Sequence, residues 1–90
     1  MADALKNIRS KFVNSVSKEV IHQLLDDLLE DQVLNDGEVE HIKEGASMRA
    51  EKARSLMDMV RKKGDAASNT MIKRLKERDP VLFKDLDLDS

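Results

Sequence analysis

Cysteine is missing altogether, proline occurs once, and the aromatics amount to two phenylalanines in 90 residues. Without cysteine there is no disulfide framework, no thiol nucleophile and no thiolate zinc site. His22 and His41 are the only imidazoles. They belong to different predicted helices and to no HExxH pair, so they read as surface or part-buried side chains rather than metal ligands or a general base. Gly37, Gly45 and Gly64 stand singly at predicted helix boundaries, and no phosphate-cradling glycine loop is present. No apolar run approaches the roughly 18 residues of a membrane span. The opening MADALKNIRSKF lacks the apolar stretch and cleavage site of a signal peptide. The expectation is a cytoplasmic protein with no membrane partner, no metal and no organic cofactor.

What is present is 40% apolar residues, enough for a small core, and 38% charged residues with a net charge of only −2. That balance is unlike the strongly charged, apolar-poor composition of disordered chains, and the length allows one domain, taken as residues 1–88 with 89–90 as a frayed tail. Apolar residues fall at helical spacing throughout, with no alternating β-branched run, so the chain reads as all-α. Leu5, Ile8, Phe12 and Val16 predict a first helix over 2–14. Ser17 is placed to cap a second, which reaches about Asp31 and carries Val20, Ile21, Leu24, Leu25, Leu28 and Leu29 on a face wide enough to sit at the centre. Asn35 and Glu38 have capping-box spacing for a short third helix with Val39 and Ile42. Ser47 is a candidate cap for a fourth helix with Ala53, Leu56, Met57 and Val60, ending before Gly64. Asp65 is a candidate cap for a fifth with Ala67, Met71, Ile72 and Leu75. Asp79-Pro80 opens a sixth, in which Val81, Leu82, Phe83 and Leu86 close the core. Short connections make this a six-helix antiparallel bundle.

Charge is sorted along the chain. By segment it runs +2 over residues 1–16, −7 over 17–44, +6 over 45–78 and −3 over 79–90. The second and third helices present Asp26, Asp27, Glu30, Asp31, Asp36, Glu38 and Glu40. The first and fourth present Arg9, Lys11, Arg49, Lys52, Arg54, Arg61 and Lys62. If the two groups lie on different sides of the bundle, one copy's acidic face complements another's basic face, a head-to-tail contact that propagates into an open helical filament when its rotation does not close. Two other readings of the same charges stand beside it: inert solvated helix faces, and a phosphate-binding stretch over Arg49 to Arg78. The second is opposed by the acidic half of the domain and the lack of stacking aromatics. Asp26-Asp27 and Glu30-Asp31 lie on a predicted continuous helix, not on a loop of EF-hand spacing, so they read as surface acidity rather than a calcium site.

Four stretches, the opening MAD, KFVNSVSKEVIHQLLDDLLEDQVLNDGEVEHIK, EKARSLMDMVRKKG and ERDPVLF, resemble in order and nearly without gaps the caspase recruitment domain (CARD) of the inflammatory caspases, over essentially residues 1–88. The resemblance implies a death-fold bundle with no catalytic activity of its own. It implies homotypic assembly with a CARD-containing adaptor, sensor or caspase, through self-association into filaments in which an acidic patch on helices two and three meets a basic patch on helices one and four. The positions matching the family's acidic patch are Asp26 and Asp27, with Glu30 and Asp31 beside them; those matching the basic patch are Arg9, Lys11, Lys52 and Arg54. Two roles are compatible with it: a prodomain that recruits a protease for activation, and a stand-alone decoy that blocks such assembly.

Overall fold

Three helix starts follow directly from local side-chain chemistry. The Ser17 hydroxyl accepts the Val20 N–H at 3.1 Å. Asn35 and Glu38 form a reciprocal capping box, each side chain accepting the other's backbone N–H at 2.8 and 2.9 Å. The Asp79 carboxylate accepts the Leu82 N–H at 3.0 Å, with Pro80 in the first turn, where no amide partner is lost. A computed structural model describes residues 4–45 and 47–86. It contains α1 (Ala4–Ser15), α2 (Lys18–Glu30), α3 (Asp36–Gly45), α4 (Arg49–Lys62), α5 (Asp65–Arg78) and α6 (Pro80–Asp85), with no strand among the described residues. The tail expected to fray, residues 89–90, lies outside the described residues.

Two expected caps are corrected. The residue before α4 is Met48, which makes no side-chain cap bond, and not Ser47. The entry to α4 is fixed instead by Arg49, whose guanidinium donates to the Val13 and Val16 carbonyls at 2.6 and 2.8 Å and so closes the C-terminal end of α1. The residue before α5 is Gly64 at φ 103°, and not Asp65. Its positive φ lets one residue end α4 and begin α5, leaving Asp65 in the first turn, where its charge favours the helix N-terminus.

The C-terminal end of α2 is a Schellman turn: the Gln32 N–H reaches the Leu29 carbonyl at 3.1 Å and the Val33 N–H reaches Leu28 at 2.9 Å. Gln32 holds the left-handed position, φ 64°, usually occupied by glycine. This turn drops Leu34 into the core at 2% exposure, a core residue outside the helical periodicities.

Leu5, Phe12, Ile21, Leu24, Leu25, Leu28, Ile42, Leu56, Met57 and Val60 are completely buried, as helical spacing predicts. Helix α4 shares the centre with α2: it packs against α1, α2, α3 and α5, while α2 packs against α3, α4 and α5. Val81 is a correction. It is 72% exposed because the six-residue α6 turns Leu82, Phe83 and Leu86 inward and Val81 out. Phe83 is buried beneath Lys76, whose ammonium lies 5.4 Å from the ring centre.

Candidate protein-interaction faces

Along α2 the acidic residues form two rows. Successive residues on a helix diverge by about 100°, so Asp26 and Glu30 share one row and Asp27 and Asp31 the adjacent one. The inner row turns onto α5. Asp27 is 3% exposed and takes the Arg78 guanidinium in a two-bond fork at 2.8 and 2.7 Å. Asp31 does the same with Arg74 at 2.7 and 2.6 Å. The Arg78 fork outweighs burial and holds the Asp27 carboxyl below the ordinary carboxylate range, and Arg74 does the same for Asp31. The outer row faces solvent: Asp26 has only a loose pair with Lys43 of α3 at 3.8 Å and a 72% exposed side chain, and Glu30 is exposed. On α3, Glu40 is exposed, whereas Glu38 is half-buried, held by the capping box and by Lys63 at 3.0 Å. The backbone bond to Asn35, then Lys63, lowers the Glu38 carboxyl's pKa.

The basic residues divide similarly. Arg54, Arg61 and Lys62 lie on one side of α4, with Arg9 reaching across from α1 to Asp58 at 3.0 and 3.1 Å. That contact joins α1 and α4 into one face. Arg54 and Lys62 are exposed and Arg61 is half-buried. Lys11 stands at the edge, donating to the Asp85 carbonyl of α6 at 2.6 Å. The structure gives Arg49 and Lys52 places inside the fold. Arg49 closes α1, and Lys52, 6% exposed, turns its ammonium onto the Lys43 carbonyl in the last turn of α3, a favourable site for a cation.

Asp58, Arg74 and Arg78 take part in these faces although charge sorting did not single them out. Their signals are in the sequence: an acid among Arg54, Arg61 and Lys62 at helical spacing, and arginines four apart on α5 matching acids four apart on α2.

His41, Ser55 and Asp58 line one cleft, about 450 Å³ in volume, between α3 and α4. Both Asp58 oxygens are taken by Arg9, and no hydrogen bond joins Ser55 to His41 among the described residues, so the relay geometry of a nucleophile, base and orienting acid is not formed. No cluster of three or more His, Asp or Glu suited to a metal occurs among the described residues. No described helix is long and apolar enough to cross a membrane.

This six-helix bundle has the death-fold architecture of a protein-interaction module. More narrowly, the chain belongs to the caspase recruitment domain family, whose model matches residues 2–89. It is 45% identical over 91 residues to caspase-1 of Rattus norvegicus, covering all of this chain and 23% of that protein. It is 39% identical over 88 residues to caspase-1-A of Xenopus laevis, covering 98% of this chain and 23% of that one. Caspase recruitment domain-containing protein 18 of Homo sapiens is 37% identical over 89 residues, covering 98% of this chain and 99% of that protein. The solution structure of ICEBERG, an inhibitor of interleukin-1beta generation, superposes with a TM-score of 0.86 at 36% identity, over 93% of this chain and 94% of that one. The chain therefore spans about a quarter of the caspases it matches and nearly all of the recruitment-domain-only relatives. It is a homotypic interaction module.

Proposed function

We propose that this domain assembles head to tail, the outer acidic row of α2 and α3 on one copy meeting the basic face of α1 and α4 on the next, and that the resulting filament gathers inflammatory caspases in the cytoplasm. The observation that carries the reading is the coexistence, on one small bundle, of the exposed acids Asp26, Glu30 and Glu40 with the cation group Arg9, Arg54 and Arg61. Unlike faces make a heterologous contact, which propagates unless its rotation closes. Asp27 and Asp31 support the acidic face from behind through α5. Glu38 and Lys63 support it at the start of α3. Lys11 flanks the basic face, and Arg49 and Lys52 anchor α4 beneath it. The partner is a second recruitment domain: another copy, an adaptor, a sensor or a caspase prodomain. Holding protease chains on one scaffold raises their effective concentration for one another.

A second reading, a decoy that occupies one face and stops growth, is favoured by the likeness to ICEBERG. Binding to nucleic-acid phosphates draws little support, since Arg49, Lys52, Arg74 and Arg78 are engaged within the domain.

The test is a mixing experiment. Asp26→Arg and Arg54→Glu alter side chains outside the core, so both variants fold. Each alone stays monomeric by light scattering at low salt, where wild type associates. An equimolar mixture recovers at least dimers through the one interface in which the exchanged charges are absent. Variants that assemble like wild type refute the charge-face mechanism.

A further inference from the structure

The basic face carries an acid at its centre. Asp58 lies one turn beyond Arg54 and one turn before Arg61 and Lys62, with a 45% exposed side chain. Both its oxygens take the Arg9 fork, and the Arg61 guanidinium is 3.8 Å away. Arg9, Arg61, Lys62 and Asp58 line an open cleft of about 590 Å³, three cations around one carboxylate. The group these cations surround is the chain's own.

A guanidinium meets a carboxylate with two parallel bonds along one edge. While Asp58 holds the Nε and terminal-amine edge of Arg9, an incoming carboxylate reaches that edge only by displacing it. Displacement exchanges one ion pair for another and leaves Asp58 beside a second negative group. The contact between copies then has only the remaining terminal-amine donors of Arg9, on a charge that Asp58 already offsets, and gains less than an unoccupied arginine would give.

We propose that Asp58 is a self-competitor on the basic face, occupying the Arg9 and Arg61 position that an acidic side chain of a second copy would take, and so setting the concentration at which copies associate. The proposal rests on the head-to-tail reading above. It makes Asp58 a determinant of affinity rather than a contact: removing its charge strengthens assembly, whereas removing a contact residue weakens it.

The experiment compares wild type with Asp58→Asn and Asp58→Ala by sedimentation velocity over a concentration series at low salt. Asp65→Asn, in the exposed first turn of α5, removes the same charge away from the cleft. Thermal melts of all four confirm that each is folded. Both Asp58 variants are expected to associate at about two- to fivefold lower concentration than wild type, the equilibrium counterpart of a part-exposed ion pair, while Asp65→Asn stays at the wild-type value. Asp58 variants that associate at the wild-type concentration or above it, or an equal gain from Asp65→Asn, overturn the self-competitor. If wild type and every variant remain monomeric throughout, the head-to-tail reading falls as well. A wild type that assembles alongside unmoved Asp58 variants overturns only this proposal.

Discussion

Replacing Asp27 by asparagine tests whether the inner acidic row is a structural brace. The side chain is 3% exposed and receives two charge-assisted bonds from Arg78, which is itself 41% exposed on its side chain. Asparagine keeps the shape and one acceptor but loses the charge. Because the released Arg78 can return to water, the cost falls short of that for stranding a buried charge. We expect about 1.5 kcal/mol, near the lower end for hydrogen bonds to charged groups. For a domain of this size that lowers the melting temperature by roughly 6–12 °C. The pH dependence has a definite sign. The Asp27 carboxyl is lowered in the folded state, chiefly by the Arg78 bond. Its contribution is therefore complete above the unfolded value of about 3.9 and disappears as pH falls through the lower folded value. Urea titrations of wild type and Asp27→Asn should differ fully at pH 7 and converge as pH drops below about 3.9. Glu38 and Asp58 also have lowered values, but they lie outside the Asp27 network, are common to both proteins and cancel in the difference; Asp31, which is lowered chiefly by its own Arg74 bond and feels the Asp27 charge, keeps that bond in both. A gap at pH 7 below about 0.5 kcal/mol, the usual range for surface substitutions, refutes the brace. So does a gap of constant size into acid.

Two further outcomes follow from local geometry. Gln32→Gly relieves a non-glycine left-handed residue in the Schellman turn and is expected to stabilise by about 0.5–1 kcal/mol after the added entropy of the unfolded chain, read as a higher urea midpoint at unchanged slope. Asp79→Ala removes the cap of α6 and is expected to cost about 1 kcal/mol, with faster amide exchange at Leu82 and Phe83 as the local signature.

The helices were legible because their information is local. Ser17, the Asn35 and Glu38 box and Asp79-Pro80 act within one turn, and the apolar stripes repeat at fixed spacing. Ser47 and Asp65 misled because each is a good cap by composition. Arg49, bonding to α1 more than thirty residues away, and Gly64, by its backbone angle, decided those starts instead. Val81 misled because a six-residue helix is too short for its apolar run to show which side faces inward. Charge sorting found the helices that bear the two faces, but it assigned every acid and cation on them alike to the surface. The pairs Asp27 with Arg78, Asp31 with Arg74 and Arg9 with Asp58 join residues 43 to 51 positions apart, and only the packed bundle shows them. The decisive distinction, between Asp26 and its neighbour Asp27, is one of rotation about a helix axis.

That rotation is held in place. The buried Ile21, Leu24, Leu25 and Leu28 set the rotation of α2, and the forks from Asp27 and Asp31 to two arginines one turn apart key it to α5, so Asp26 and Glu30 are aimed by contacts made on other sides of their own helix. Changes at positions 26 and 30 would alter which surface is recognised on an unchanged frame, whereas a change at position 74 or 78 would loosen the frame that carries the outer row. A scan that scores only loss of assembly would merge these two kinds of residue; a melting curve taken on the same variants pulls them apart.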